Sequence, residues 1–281
     1  MTQAVMPTYT RPTRIDEALA LLARGGQTIL AGGTDFYPSR VGIAPRGNVI
    51  DVTALAEVRG IQEREHDWRF GATTSWTEVI EAKLPPLFDG LKLAAREVGG
   101  LQIQNSGTIA GNLCNASPAA DGVPPLLALD AKVEIAHAGG VRTTPVEQFI
   151  LGPRKTALVA GELVTAVMVP KPLHPARSDF RKLGARKYLV ISMAMVASVL
   201  EIEKGMVRRA RIAVGSCSPV AVRLRALEQA LAGKPLDLHL SACVAREHLS
   251  RLSPIDDVRA SAAYRSEAAL ILIRRSLESL A

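Results

Sequence analysis

The chain has 281 residues, 48% of them hydrophobic and 22% charged, the balance of an ordinary globular protein and too apolar for disorder. At roughly 150 residues per domain it is long enough for two. Aromatic residues make up only 4%, and the three cysteines, Cys114, Cys217 and Cys243, stand singly. Base-stacking platforms are therefore hard to build, and this chain alone can hold neither a zinc knuckle nor an iron–sulfur cluster.

The net charge of +7 is unevenly placed. Residues 1–170 carry 15 Lys+Arg against 17 Asp+Glu, whereas residues 171–281 carry 19 against 10. A basic half of this kind is either a solvated face or a surface for an acidic protein partner. Nucleic acid is not expected, because no recognition motif or aromatic interleaving accompanies the charge. Residues 1–12 lack the apolar core of a signal peptide. The longest uncharged apolar run, 188–200, is well short of the roughly 18 residues of a membrane span. Unpaired thiols and no span together lead us to expect a cytoplasmic protein.

In chain order, Thr13-Arg14-Ile15-Asp16 has the form of a capping box, with Ala18, Leu19 and Leu22 at helical spacing before Gly25-Gly26. Short strands are expected at 28–30, 49–52 and 68–72. Ser75-Trp76-Thr77-Glu78 is a second capping box, its helix stopped by Pro85-Pro86. Leu87, Leu91, Ala94, Ala95 and Val98 mark a further helix closed by Gly99-Gly100. Residues 132–137 and 141–144 read as a hairpin turning at Gly139-Gly140, and residues 162–169 as another strand.

Three prolines, Pro170, Pro172 and Pro175, interrupt both ladder and helix and mark the expected domain boundary, which separates 1–172 from 173–281. Beyond it, residues 179–183, 193–203 and 206–214 read as strands, the last two joined at Lys204-Gly205. Helices are expected around Leu224, Leu227 and Leu231, over 241–252, and over about 260–280.

Common chemical signatures are missing. The sequence has no G-x-G-x-x-G, no G-x-x-x-x-G-K-[ST], no G-x-S-x-G, and no H-E-x-x-H among its histidines at 66, 137, 174, 239 and 248. The positive signal is a pair of glycine loops. One is Ala31-Gly32-Gly33-Thr34-Asp35. The other lies in the small-residue stretch 104–131, which contains Thr108-Ile109-Ala110-Gly111-Asn112 and closes on Pro124-Pro125. Successive N–H groups in such loops make a concave donor site for phosphate oxygens, so two of them suggest a clamp around a diphosphate. A carboxylate facing that diphosphate would oppose it. Asp35 is therefore expected to turn aside and accept from its own loop, while Asp121 is suited either to gripping ribose or ribityl hydroxyls or to capping the Pro124-Pro125 helix.

The two loops, together with Asn115-Ala116-Ser117-Pro118-Ala119-Ala120-Asp121, resemble the FAD-binding medium subunit of the molybdenum hydroxylases, the family of xanthine dehydrogenase and aerobic carbon monoxide dehydrogenase. Phe180-Arg181-Lys182-Leu183-Gly184-Ala185-Arg186 and Asp257-Val258-Arg259-Ala260-Ser261-Ala262-Ala263-Tyr264-Arg265 resemble the C-terminal domain of that family. The resemblance implies an α+β fold. Its FAD-binding domain would be of the PCMH (vanillyl-alcohol-oxidase-like) type, in two parts, about 1–55 and 56–172, followed by a small domain of antiparallel sheet plus helices.

It also implies that residues 31–35 and 108–112 cradle the FAD diphosphate, that Asp121 holds polar groups on the adenosine side, that Leu158 lies near the isoalloxazine, and that Lys182 lies near its pyrimidine edge. No residue is implied as catalytic and none as a metal ligand. The implied role is electron relay, with [2Fe-2S] clusters and molybdopterin confined to an iron–sulfur small subunit and a large subunit, assembled as a dimer of heterotrimers. Two rival readings are a stand-alone FAD and NAD(P)H reductase of the enolpyruvyl-glucosamine reductase type, and a non-enzymatic basic interaction module.

Overall fold

The computed structural model describes residues 8–42, 47–187 and 189–281. Residues 1–7, part of the segment judged not to be a signal peptide, and Tyr188, which opens the long apolar run, lie outside the described residues.

The N-terminal part is a small parallel sheet fed by one helix. That helix spans Ile15–Leu22 and buries Ala18 and Leu22. Its cap differs from the expected box, since Arg14 occupies the N-cap without a side-chain bond, and Glu17 Oε2 accepts instead from Thr13 N at 3.2 Å. Gly25 and Gly26, both left-handed at φ 72° and 71°, turn the chain into the strand Gln27–Leu30. This strand pairs in parallel with Asn48–Asp51, which in turn pairs with Tyr9–Thr10.

A five-stranded antiparallel sheet follows, in the order Ile61–Glu63, Asp67–Gly71, Leu163–Pro170, Lys132–His137, Gly140–Pro145. The last two strands are the expected hairpin. The Ser75 capping box is present in full, with Ser75 Oγ accepting from Glu78 N and Glu78 Oε2 accepting from Ser75 N. Its helix, Trp76–Glu81, buries Trp76, and the next, Asp89–Glu97, buries Leu91, Ala94 and Ala95.

The third sheet pairs Ala176–Leu183, Ala194–Glu203, Met206–Gly215 and Val222–Arg223, all antiparallel. Lys204 and Gly205 both take positive φ, 52° and 72°, as a tight two-residue hairpin turn demands. The central strand is buried on both faces, so it reads as a continuous apolar run. Met195, Ala197 and Val199 face the first core together with Phe180 and Ala213, while Ala194, Val196 and Leu200 face a second core closed by the long helix Ala262–Leu280. The helix expected over 241–252 is instead two short 3₁₀ segments, Leu238–Cys243 and Arg246–Leu249. Asp237 caps the first by accepting from His239 N, and their carboxyl-terminal residues, Val244 and Ser250, already meet i−3 carbonyls, which leaves no continuous α ladder.

The Asp257–Arg265 motif is a clasp between the last helix and the third sheet. Asp257 accepts from Arg259 N, Ala260 N, the Arg259 guanidinium and the Arg265 guanidinium. Arg265 donates onward to Met193 O at 2.7 Å and Ser216 O at 3.1 Å, and Ser261 caps the helix through Tyr264 N. These donors hold the Asp257 carboxyl well below the usual carboxylate range, the Arg259 backbone N–H contributing most.

Candidate functional site

The two glycine loops meet. A Cβ on Gly32 would lie 1.8 Å from Ser106 O, so only glycine allows the first loop to rest on the backbone leading into the second. Thr34 sits against Gly107 in the same contact. Gly33 takes φ 73°, the left-handed region that bends the loop back over the strand end.

Between the loops lies a cavity of about 360 Å³. Ala31, Gly32, Gly33, Thr34, Asp35, Thr108, Ala110, Gly111, Asn112 and Leu158 line it, with Leu30, Trp76, Val98 and Leu163 forming its apolar part. Cys114 adds an exposed thiol to the wall. A second, more polar cavity of about 550 Å³ is bordered by Thr53, Arg59, Ser75, Thr77 and Asn105. Ala31, Gly32, Thr73 and Thr108 border both, so the loop junction is the waist of a long cleft.

The loops are not equivalent donors. Among the described residues, the N–H groups of Gly32, Gly33, Thr34 and Asp35 meet no protein acceptor. The second loop differs from the expected open bend, because within 104–131 the chain forms a helix, Ile109–Asn115, capped by Thr108. Its early amides are already used: Ile109 N donates to Thr74 O, Ala110 N to Ala72 O, Gly111 N to Thr108 Oγ1 and Asn112 N to Thr108 O. This strand-like docking onto residues 72–74 and the cap consume the donors that a two-sided cradle requires. The second loop thus supplies a wall, and the first supplies the free N–H groups. Asn112 adds a side-chain amide whose Oδ1 is buried without a hydrogen-bond partner.

Three of the expected residues lie elsewhere. Ile109 is fully buried in the core beneath the cleft. Asp121 and Lys182 do not line the cavity but join each other, Lys182 Nζ donating to Asp121 Oδ2 at 2.8 Å and to Glu97 O at 3.2 Å. Ser192 donates to Asp121 Oδ1 at 2.8 Å, and both charged side chains are about nine-tenths buried in the seam between the first part of the chain and the third sheet. Burial pushes the Asp121 carboxyl up, against the pull of the Lys182 ammonium and the Ser192 hydroxyl. Asp121 is not a helix cap either, since Gly122 holds that position for Val123–Ala128.

Sequence reading missed Arg154 and gave Asn115 no role beyond its place in the family string. Asp35 turns aside, as charge requires, but to Arg154, which donates to its Oδ2 at 3.2 Å and also to Asn115 Oδ1.

The residues present fit a dinucleotide: four unpaired N–H groups at the waist of an elongated cleft, an apolar compartment on one side, an orphaned amide oxygen, and Arg40 lining the wall with its guanidinium 3.9 Å from the Phe36 ring centroid. Comparison with known proteins agrees. The family described as the FAD binding domain in molybdopterin dehydrogenase matches residues 3–172, and the CO dehydrogenase flavoprotein C-terminal domain matches residues 178–280. The chain is 32% identical over 262 residues to the xanthine dehydrogenase FAD-binding subunit of Escherichia coli O157:H7, covering 92% of this chain and 90% of that one. It is 28% identical to the carbon monoxide dehydrogenase medium chain of Hydrogenophaga pseudoflava, covering 96% of each. Quinoline 2-oxidoreductase from Pseudomonas putida 86 superposes with a TM-score of 0.88 at 25% identity, over 99% of this chain and 98% of that one. With both family descriptions matched along its length, the chain belongs to the FAD-binding medium subunits of the molybdenum hydroxylases, an oxidoreductase component whose cofactor is FAD.

Proposed function

We propose that the chain is the electron-transfer subunit of a molybdenum hydroxylase complex, taking electrons from [2Fe-2S] clusters of a partner small subunit and passing them to an external acceptor. Substrate oxidation then belongs to a molybdopterin large subunit, the three chains assembling as a dimer of heterotrimers in the cytoplasm. Bound FAD supplies the redox chemistry; the protein supplies binding, orientation and field.

The observation that carries the reading is the set of unpaired N–H groups on residues 32–35, opening onto a cleft that residues 108–112 and Leu158 also line. These N–H groups hold the diphosphate, and Asn112 fixes a neighbouring polar group. Leu30, Trp76, Val98 and Leu158 keep water from the apolar compartment. Ile109 supports the wall from beneath. Asp121 and Lys182, being neutralised by each other, brace the seam behind the cleft and keep a buried dipole, not a free charge, near it.

The test is the visible spectrum and subunit mass of the protein purified from its native host. Flavin bands with iron–sulfur absorbance and two companion chains are expected. A colourless chain that purifies alone contradicts the reading.

A further inference from the structure

Arg154 sits at the tip of the hairpin formed by Ile150–Gly152 and Lys155–Thr156. Its backbone is left-handed at φ 58°, uncommon for a residue with a side chain, and its N–H donates to Ala116 O at 2.8 Å, which pins the tip against the end of the helix Ile109–Asn115. From there one guanidinium nitrogen reaches Asp35 Oδ2 on the first glycine loop and Asn115 on the second. A single side chain therefore ties together two loops that are 80 residues apart between Asp35 and Asn115.

Stability does not account for this placement. Side-chain exposure is 57% for Arg154 and 55% for Asp35, and an ion pair so exposed contributes little to folding. The carboxylate next to the free N–H groups does need a counter-charge, because an anion placed on those groups is repelled by it. Arg40, which lines the cavity, is engaged with Phe36 O and Ser39 Oγ and forms no ion pair among the described residues.

Resting on the reading that a diphosphate occupies the Gly32–Asp35 turn, we propose that Arg154 is a positioning residue for the cofactor, which neutralises Asp35 and holds it turned out of the cleft. With Arg154 in place, Asp35 can stay in the loop without opposing the anion. Without it, the carboxylate is uncompensated at the waist of the cleft.

The test is titration of FAD, followed by flavin fluorescence, into the full-length chain after deflavination. Wild type is compared with Arg154→Gln, Arg154→Lys, Asp35→Asn and the double variant Asp35→Asn/Arg154→Gln. Loss of the counter-charge to Asp35 beside a bound anion corresponds to about tenfold weaker binding for Arg154→Gln, a gap that narrows as salt screens it. Arg154→Lys retains most of the affinity. The double variant recovers to near wild type, and Asp35→Asn alone binds at least as tightly as wild type; this last variant keeps the idea testable if Arg154→Gln fails to fold.

Equal FAD affinity in wild type and Arg154→Gln overturns the proposal. So does a double variant as weak as Arg154→Gln, which would mean that Arg154 ties the loops together without acting on charge, or a weakened Asp35→Asn. A wild-type chain that takes up no FAD overturns the underlying reading and this proposal with it, a result distinguishable from the others at the first titration.

Discussion

Gly32 is the residue on which the site turns, because its missing side chain is what lets the first loop touch Ser106 O. Gly32→Ala forces a methyl into backbone that cannot rotate away. We expect it to spread the loops, to weaken FAD binding by at least tenfold and to lower the thermal midpoint, as overpacked sites lose about 1–3 kcal/mol; calorimetry and FAD titration of the same sample check both. Asp257 carries a pH signature. Its carboxyl titrates lower in the folded chain than in the unfolded one, so its contribution is complete above the unfolded value of about 3.9 and is lost as pH falls through the folded value. Asp257→Asn should accordingly melt earlier than wild type at neutral pH, the gap closing as pH drops below about 4 in melting curves across pH 2–7. At this scale the sequence showed what each residue type permits but not its partner. Glycines announce close approach, whereas the Asp121–Lys182 pair spans 61 positions and the Asp35–Arg154 pair spans 119, distances over which no local pattern carries information.

Among the elements, the helix Ile109–Asn115 decides how the cleft works. Its cap at Thr108 and its docking onto residues 72–74 use up the amides of the second loop. Thr108→Ala removes the side-chain acceptor for Gly111 N and should cost about 1 kcal/mol, the usual loss of an N-cap, in urea unfolding with an unchanged m-value. The freed Gly111 N–H makes that variant informative about binding as well. Strands and their hairpins were legible wherever alternation or a two-residue turn was strong, as at Lys132–His137 and Lys204-Gly205. The helix Ile109–Asn115 was not, because Gly111, Asn112 and Asn115 have low helix propensity, and its Thr108 cap and its docking onto neighbouring backbone stabilise it. The 3₁₀ segments at Leu238–Cys243 and Arg246–Leu249 escaped for a related reason: apolar spacing at 241–252 fits an α-helix, but the turns are closed locally by i−3 bonds.

For the whole molecule, the prolines after Val169 mark a change of sheet, and although the second core lies wholly beyond them, the first is built from both sides. Phe180, Met195, Ala197, Val199 and Ala213 of the third sheet pack into the core that also holds Trp68 and Trp76. Both parts should therefore unfold together, with tryptophan fluorescence and far-ultraviolet circular dichroism tracing coincident urea transitions; two separated transitions would show the halves to be independent. The family was legible because its glycine and Asp-Arg motifs are local strings, while the distribution of donors across the cleft arises only when sheet, helix and hairpin meet. That distribution is the central claim, and a crystal structure of the chain with FAD bound tests it most directly. The account predicts diphosphate oxygens within about 2.7–3.2 Å of the N–H groups of residues 32–35, with the amides of Ile109–Asn112 still bonded to residues 72, 74 and 108. A diphosphate held by those second-loop amides, or lying outside the cleft, would contradict it.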